Sequence, residues 1–262
     1  MSLSFEDKKS LCVRAPRRRE LMRPDTRIVE RPGWFQVITP SAPGTVLNEV
    51  VASRVSEGDA DRVIDETVAE YAATSHPTKW CVGEWTAPSD FGDRLTARGF
   101  TSWDVRGMGC STSLALAMPA GVHVEPVTDA NLDVYLAAMM RGWSLPAEQM
   151  DAERVVHRAA LRDTASGPRF FVARIGSEVV GTAWLSLRED YAYLLGTQVF
   201  EAARGRGAYR ALVAARLAFL RERGIDVAVT HAREATSAPM LEHLGFETLF
   251  RSRCYLKAAP TR

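Results

Sequence analysis

The chain has 262 residues, of which 46% are hydrophobic and 25% are charged, an ordinary composition for a globular protein. Its formal net charge of +1 lacks the basic excess that a sequence-independent nucleic-acid binder needs. No apolar run approaches transmembrane length, and residues 1–11 lack an apolar signal core. We therefore expect a cytoplasmic protein that binds neither nucleic acid nor a membrane.

The residues that commonly bind metals are dispersed along the chain. The cysteines stand far apart, at Cys12, Cys81, Cys110 and Cys254, and the five histidines are also scattered. This spacing predicts reduced cytosolic thiols and no metal site. A cluster of basic residues near the N-terminus is interpreted as a solvated face or a mobile arm, and it comprises Arg14, Arg17, Arg18 and Arg19.

The first half alternates strand-like and helix-like runs. Strands are predicted over residues 34–38, 45–54, 79–82 and 108–113, and helices over residues 60–73 and 89–97. The sequence Gly99-Phe100 follows the second of these helices. The stretch 117–121 contains Pro and Gly and predicts a linker, so we expect two domains, covering residues 1–118 and 119–262.

The second half has a longer series of elements. Strands are predicted over residues 123–127, 169–175, 179–187, 191–200, 226–231 and 253–256. Helices are predicted over residues 130–141 and 147–161, from residue 208 to Gly224, and over residues 237–244. The strands at 169–175 and 179–187 form a hairpin, and Leu244-Gly245-Phe246 follows the last helix.

The most informative stretch lies between a strand and a helix. It reads Arg204-Gly205-Arg206-Gly207-Ala208-Tyr209 and leads into the helix predicted from residue 208 to Gly224, which is amphipathic. Amide groups of such a loop and of the helix N-terminus point at an anion, and glycine allows a phosphate to approach closely. The arginines add charge-assisted hydrogen bonds. The pattern therefore predicts a phosphate-binding loop.

This loop resembles the pyrophosphate-binding motif of the GCN5-related N-acetyltransferases (GNAT), Gln/Arg-x-x-Gly-x-Gly/Ala. Arg204 matches the first position and Gly207 the central glycine, whereas Tyr209 stands where the pattern has Gly or Ala. The order of elements over residues 121–257 is also similar to that of a complete domain of this family. The resemblance implies an α/β (α+β) fold with two tandem domains, each a mixed, mostly antiparallel twisted sheet flanked by helices.

The resemblance also implies the cofactor and its ligands. The cofactor is acetyl-CoA, and the pyrophosphate is held by residues Arg204, Gly205, Arg206, Gly207, Ala208 and Tyr209. Backbone groups of Gln198, Val199 and Phe200 meet the pantetheine arm and the thioester at a bulge in the strand before the loop. Gly196 lies in that strand, where a glycine often marks a bulge. A bulky Tyr209 has to turn away from the pyrophosphate or lie against the cofactor.

The side-chain catalysts are less well defined. Tyr193 stands where some members of the family have a general-base Glu, but it can equally be a packed strand aromatic. His231 ends the next strand and is either a base or a structural histidine. Glu234 replaces an Asn that contacts the cofactor in many members. Leu241 replaces the Tyr that protonates the departing thiolate, so the proton comes from water or another Tyr such as Tyr255.

The acceptor is expected to be a small-molecule amine. In the family, the loop between the first two helices recognises it, and here that loop contains Trp143. Trp143 is either an aromatic wall of the pocket or a core residue. The oligomeric state is open, and one outcome is a homodimer that pairs through an exposed last strand.

The first half repeats the later part of the same order of elements. At the position of the phosphate loop, the first half has Gly58 among the carboxylates of Glu57, Asp59 and Asp61, and these carboxylates repel a pyrophosphate. Asp59 is typical of a helix N-cap. The N-terminal copy is therefore predicted to be degenerate, not to bind coenzyme A, and to pack against the other domain.

Three functions agree with these observations. The first is an acetyl-CoA-dependent N-acetyltransferase that moves an acetyl group directly to a small amine. The second is acyl transfer to a thiol-sugar-type acceptor, because the tandem layout resembles that of mycothiol synthase. The third is a non-catalytic acyl-CoA-binding regulatory module, which would bind the cofactor without releasing free thiol when amines are offered.

Overall fold

The computed structural model describes residues 3–42 and 44–259. The helices in these residues are α1 (Phe5–Arg14), α2 (Ala60–Ala73), α3 (Phe91–Ala97), α4 (Leu132–Gly142), α5 (Met150–Arg162), α6 (Ala208–Glu222) and α7 (Ser237–His243). The strands are β1 (Arg27–Arg31), β2 (Trp34–Ile38), β3 (Glu49–Ser53), β4 (Thr78–Val82), β5 (Thr101–Ser111), β6 (Val122–Pro126), β7 (Arg169–Ile175), β8 (Glu178–Leu187), β9 (Ala192–Val199), β10 (Val227–Arg233) and β11 (Glu247–Lys257).

The chain folds into two compact units that are not its two continuous halves. The C-terminal unit contains residues 3–21, 107–231 and 239–249, and the N-terminal unit contains residues 22–106, 232–238 and 250–259. The divisions fall inside β5, β10 and β11. Each unit therefore includes chain segments that the linker at 117–121 would assign to the other half.

The C-terminal unit contains a mixed sheet. Its strands β6, β7, β8 and β9 pair antiparallel in sequence order, and β10 then pairs parallel to β9. Helix α6 connects this parallel pair and packs along β6 to β9. Helix α4 buries Leu132, Tyr135 and Leu136 against Phe170 and Trp184 of the sheet. Apolar positions at helical spacing produce this buried face.

The N-terminal unit repeats this order with fewer strands. Its strands β1, β2 and β3 pair antiparallel, and β4 pairs parallel to β3. Helix α2 connects β3 to β4 and buries Ile64 and Tyr71 against Trp34 and Trp80. The C-terminal part of β11 pairs antiparallel with β4. Both units are thus mixed, mostly antiparallel sheets flanked by helices, and the predicted α/β (α+β) fold is confirmed.

The N-terminal segment, which contains α1, packs on the C-terminal unit. Ser4 and Asp7 form a capping box that begins α1, with the Asp7 N–H donating to Ser4 Oγ at 3.1 Å. Arg18 is buried, and its guanidinium lies 5.6 Å from the centroid of the Trp184 ring. The buried Glu20 carboxylate accepts hydrogen bonds from Ser186 and Arg188 of the same unit. The interpretation of the arginine cluster as a solvated arm was therefore wrong for Arg18, although Arg14, Arg17 and Arg19 are exposed.

Candidate functional site

The loop between β9 and α6 has the backbone of an anion-binding site, and we call residues 204–209 the phosphate cradle. Gly205 and Gly207 have positive φ angles of 75° and 85°, and Gly207 is the N-cap of α6. The backbone N–H groups of residues 205–210 have no acceptor in the described part of the chain, whereas Ala211 N–H donates to Gly207 O at 2.9 Å. A run of unpaired amides at the positive end of a helix attracts an anion.

The central glycine of the cradle has no room for a side chain. A Cβ atom on Gly207 would lie 2.7 Å from Cβ of Pro119, closer than real Cβ atoms approach other carbons. The positive φ of 85° would also strain any other residue at this position. Arg204 and Arg206, on either side of Gly205, are exposed and free to reach a phosphate. The cradle therefore combines a fixed backbone with accessible positive charge.

The side chain of Tyr209, which departs from the family pattern, is directed into the unit. Tyr209 lies in the first turn of α6 and is partly buried. Burial raises the pKa of its hydroxyl, and the positive charge of the nearby Arg216 partly opposes that effect. Tyr209 and Arg216 are two helical turns apart, so they lie on the same face of α6. Tyr209 thus leaves the unpaired amides of the cradle accessible.

Strand β9 has a bulge at the glycine that the sequence singled out. Gly196 has a φ of 54°, and a Cβ atom there would overlap the Trp184 indole. The pairing with β8 passes from Trp184↔Leu195 to Thr182↔Gln198, so two steps on β8 oppose three on β9. The bulge predicted from Gly196 is confirmed.

Strands β9 and β10 begin as a parallel pair and then separate. The parallel pairing contains Ala192↔Ala228 and Tyr193↔Val229. The Thr230 hydroxyl then donates to Leu194 O at 2.9 Å. Residues 195–199 of β9 do not pair with β10 in this parallel ladder. We call this open edge of β9 the cleft, and it runs toward the phosphate cradle.

Only one of the three backbone positions expected at the cleft has an N–H group that faces it. Phe200 N–H donates to Val180 O at 2.9 Å, so it is directed toward β8. Because N–H groups alternate between the two edges of a strand, Val199 N–H is directed toward the cleft and Gln198 N–H toward β8. The Gln198 side chain donates to Thr182 Oγ1 at 2.9 Å and to the carbonyl of Met139 at 3.2 Å. Of these three residues, Val199 is thus the one whose N–H is directed toward the cleft, and the predicted backbone contacts of Gln198, Val199 and Phe200 with a cofactor stay predictions.

Comparison with known proteins gives a family match for one segment of the chain. Residues 133–246, which contain the bulge, the cleft and the phosphate cradle, match the model of the Acetyltransferase (GNAT) family. This segment is a GNAT-family domain. The family supports acyl-CoA-dependent acetyl transfer in general. A search of curated proteins found no match.

Solved structures extend the likeness to the whole chain at the level of the fold. A functionally unknown conserved protein from Staphylococcus epidermidis has a TM-score of 0.69 at 12% identity, covering 99% of each chain. A GCN5-related N-acetyltransferase from Kribbella flavida has a TM-score of 0.64 at 12% identity, covering 99% of this chain and 97% of its own. A tandem GNAT protein from the clavulanic acid biosynthesis pathway has a TM-score of 0.52 at 16% identity, covering 96% of this chain and 89% of its own.

Two candidate catalysts of the GNAT domain lie next to each other. The rings of Tyr193 and His231 are in an edge-to-face arrangement with centroids 5.8 Å apart. His231 Nε2 lies 3.0 Å from Cys12 O, and because a carbonyl only accepts, this nitrogen is the donor. Tyr193 is buried. A neutral His231 with this hydrogen bond therefore carries its proton on Nε2.

The third candidate catalyst, Glu234, belongs to the N-terminal unit. Its carboxylate accepts two hydrogen bonds from the Arg106 guanidinium, with Nε to Oε2 at 2.7 Å. These bonds and the charge of Arg106 lower the pKa of Glu234. A carboxylate held by a bidentate arginine is a poor proton acceptor. The structure thus brings Tyr193 and His231 together and does not bring Glu234 into their unit.

Three other positions are clarified by the structure. Trp143 is 50% exposed at the end of α4, so it is not a core residue, and its part in acceptor binding stays a prediction. Leu241 is buried and has no proton to donate. Tyr255 packs in the core of the N-terminal unit with Phe91 and Leu95, which excludes it from the core of the GNAT domain.

Sequence reasoning missed two features of the C-terminal unit. The packing of residues 3–21 was signalled by the capping box of Ser4 and Asp7. Sequence reasoning gave Arg216 no role, yet its side chain is buried and bonded to backbone carbonyls of β8 and β9. No local pattern identifies such a residue, because its partners are distant in sequence.

The described residues, 3–42 and 44–259, lack both a membrane-spanning helix and a cluster of metal-binding side chains. No helix in them is long and apolar enough to cross a membrane. They contain no group of three or more His, Cys, Asp or Glu side chains that could hold a metal ion.

Proposed function

We propose that the protein is an acetyl-CoA-dependent N-acetyltransferase with one cofactor site, located in the C-terminal unit. The observation that carries this proposal is the run of unpaired amides at residues 205–210, at the start of α6 and beside two exposed arginines. A pyrophosphate fits these donors by charge, by direction and by the space that the glycines leave. The cofactor, when bound, supplies an acyl thioester that an amine can attack.

The residues of the cleft have distinct parts in this proposal. The cradle binds the pyrophosphate, and Val199 N–H donates a hydrogen bond at the open edge of β9. His231, whose Nε2 is hydrogen-bonded to Cys12 O, accepts the proton that the acceptor amine loses. Tyr193 packs against the His231 ring and holds its orientation. The departing thiolate takes its proton from water, since Leu241 has none to donate.

The acceptor is a small-molecule amine in this proposal. The half-exposed Trp143, at the end of α4, gives the acceptor an aromatic surface. The α4 end is joined to the cleft strand, because the Gln198 side chain binds the carbonyls of Ala138 and Met139.

Thiol release tests the proposal against a binding module. The protein is mixed with acetyl-CoA and a panel of primary amines, and free coenzyme A is measured with a thiol reagent. An enzyme releases thiol in proportion to the N-acetyl product that mass spectrometry detects. Binding of acetyl-CoA without release under any amine would reject catalysis and favour the regulatory module. Release with a cysteinyl-sugar as the best acceptor would favour the thiol-sugar alternative.

A further inference from the structure

Arg216 is a fully buried arginine whose recorded hydrogen-bond partners are all uncharged. It is 1% exposed and lies in the middle of α6, facing the sheet. Burial lowers its pKa to about 10, so it remains protonated at neutral pH. A buried charge without a carboxylate is costly, and it is kept only where its hydrogen bonds are well satisfied.

The hydrogen bonds of Arg216 surround the bulge of β9. Nη2 donates to Thr197 Oγ1 at 2.8 Å, on one side of Gly196. Nη1 donates to Leu195 O at 3.5 Å, on the other side of Gly196, and to Trp184 O at 3.2 Å on β8. The two guanidinium nitrogens therefore hold both flanks of the bulge and the strand opposite it.

The third nitrogen of Arg216 is bonded to its own helix. Nε donates to Leu212 O at 2.9 Å, which fixes the side chain along α6. Helix α6 carries the phosphate cradle at its N-terminus, and the bulge lies at the cleft. The rigid, planar guanidinium thus connects the helix that binds phosphate to the strand that borders the cleft.

We propose that Arg216 is a positioning residue that fixes the β9 bulge relative to the phosphate cradle, so that the cradle and the cleft bind one acyl-CoA molecule together. This inference rests on the proposed function. Its consequence is that loss of Arg216 uncouples the two parts of the site. The cradle keeps its own amides and still binds a phosphate group, while the thioester end loses its fixed backbone.

Two ligands separate these parts in a binding experiment. Adenosine 3′-phosphate 5′-diphosphate, which keeps the pyrophosphate but lacks the pantetheine arm, probes the cradle, and acetyl-CoA probes the cradle and the cleft together. Affinities are measured by calorimetry on the wild type, on Arg216→Met and on Arg221→Met. Arg221 is the matched control, since it lies on the same helix and its Nη1 donates to Thr112 O at 2.9 Å, away from the bulge.

The expected result is a selective loss. In Arg216→Met, acetyl-CoA binds at least tenfold more weakly, and the affinity for the nucleotide that lacks the pantetheine arm stays within about twofold of the wild type. Arg221→Met changes neither. Equal weakening of both ligands in Arg216→Met, or no change in either, overturns the inference. Failure of the wild type to bind either ligand would instead reject the proposed function.

A milder variant keeps the test decisive if Arg216→Met does not fold. Thr197→Val removes one acceptor of the guanidinium and keeps the volume of the side chain. We expect it to weaken acetyl-CoA binding severalfold with unchanged binding of the nucleotide that lacks the pantetheine arm. A Thr197→Val variant with wild-type affinity for acetyl-CoA contradicts the positioning role.

Discussion

The two units share an arrangement of strands but differ at the end of the parallel pair. In the C-terminal unit, β9 and β10 separate after the Thr230 hydroxyl reaches Leu194 O at 2.9 Å. In the N-terminal unit, residues after β4 return to β3 and close the equivalent opening. The Trp85 indole donates to Val51 O at 3.2 Å, and Ala87 N–H donates to Ser53 O at 3.1 Å.

The loops that follow β9 and β3 also differ in the groups that they present to a ligand. The C-terminal unit has two positive-φ glycines and unpaired amides before α6. In the N-terminal unit, Ser56 Oγ accepts the Asp59 N–H at 3.2 Å, and Asp59 forms an ion pair with Arg62. We therefore expect a cofactor site only in the unit where the strand edge is open and the following loop lacks carboxylates. The comparison indicates that residues that close the edge of a strand, such as Trp85, matter as much for a site as the residues that line it.

The largest expected effect comes from placing a carboxylate in each loop. Gly207→Glu should weaken acetyl-CoA binding on the order of 100-fold or more, about 2.7 kcal/mol, because the side chain repels the pyrophosphate and collides with Pro119. The matched change in the N-terminal unit is Gly58→Glu. A Cβ atom on Gly58 would have no neighbour within 4 Å, so this variant should keep the affinity for acetyl-CoA unchanged. Calorimetry with thermal melting as a folding control makes this comparison. Equal loss in both variants would refute the difference between the loops.

Opening the closed strand pair is expected to destabilise the protein without creating a site. Trp85→Ala removes a partly buried indole that packs edge-to-face on Phe250, with ring centroids 5.2 Å apart. We expect unfolding to become easier by about 3 kcal/mol, measured by urea denaturation. The number of acetyl-CoA sites should not change, since Glu57 and Asp59 remain. A second site in this variant would show that Trp85 alone closes the N-terminal unit.

The Glu20 ion pair tests the part that the N-terminal segment has in the C-terminal unit. Burial raises the pKa of Glu20, but the charge of Arg188 and the hydrogen bonds from Ser186 and Arg188 outweigh it and lower the pKa. A carboxyl with a lowered folded pKa stabilises above its unfolded pKa of about 4.3 and loses that contribution as pH falls through the folded value. Glu20→Gln should therefore destabilise by about 2 kcal/mol at pH 7 and by progressively less below pH 4.

The control for Glu20 is an exposed ion pair in the same unit. Glu247 accepts a hydrogen bond from Lys8 at 2.6 Å, and its side chain is 55% exposed. Glu247→Gln should change the stability by less than about 0.5 kcal/mol at any pH. Denaturation of both variants across pH 3 to 8 measures the difference. A pH-independent effect of Glu20→Gln would contradict the lowered pKa.

The smallest expected effect concerns the hydrogen bond at the apex of the cleft. Thr230→Val removes the donor to Leu194 O and should destabilise by about 1 kcal/mol. Thr112→Val removes a similar bond, from Oγ1 to Ile225 O at 2.7 Å, in the same unit and outside the cleft. Both should lower the melting temperature by a similar amount, and only Thr230→Val should alter the affinity for acetyl-CoA. If both variants changed the affinity for acetyl-CoA equally, the bond from Thr230 to Leu194 O would have no specific part in cofactor binding.

Local patterns in the sequence predicted much of the fold. Strands Trp34–Ile38 and Arg169–Ile175 and helix Ala60–Ala73 have the predicted bounds, because their apolar spacing and flanking residues are local signals. Helix Phe5–Arg14 and strand Arg27–Arg31 were not predicted. Both elements are polar and mostly exposed, so their sequences lack a regular spacing of apolar residues that would predict them.

The candidate site was only partly accessible to the same reasoning. Gly196 and Gly207 identified the bulge and the cradle, because a positive φ and a close approach both require glycine. Arg216 and Glu20 were not identified, since their partners lie on strands distant in sequence. The direction of the Phe200 N–H also depends on strand register, which residue type does not determine.

The most direct test of the difference between the units is the number of acetyl-CoA molecules that one chain binds. Calorimetric titration of the full chain should give a stoichiometry of one, since the C-terminal unit has an open strand edge and the N-terminal unit a closed one. A stoichiometry of two would show that the closed edge and the acidic loop do not exclude the cofactor. No binding at all would show that the cradle is not a coenzyme A site.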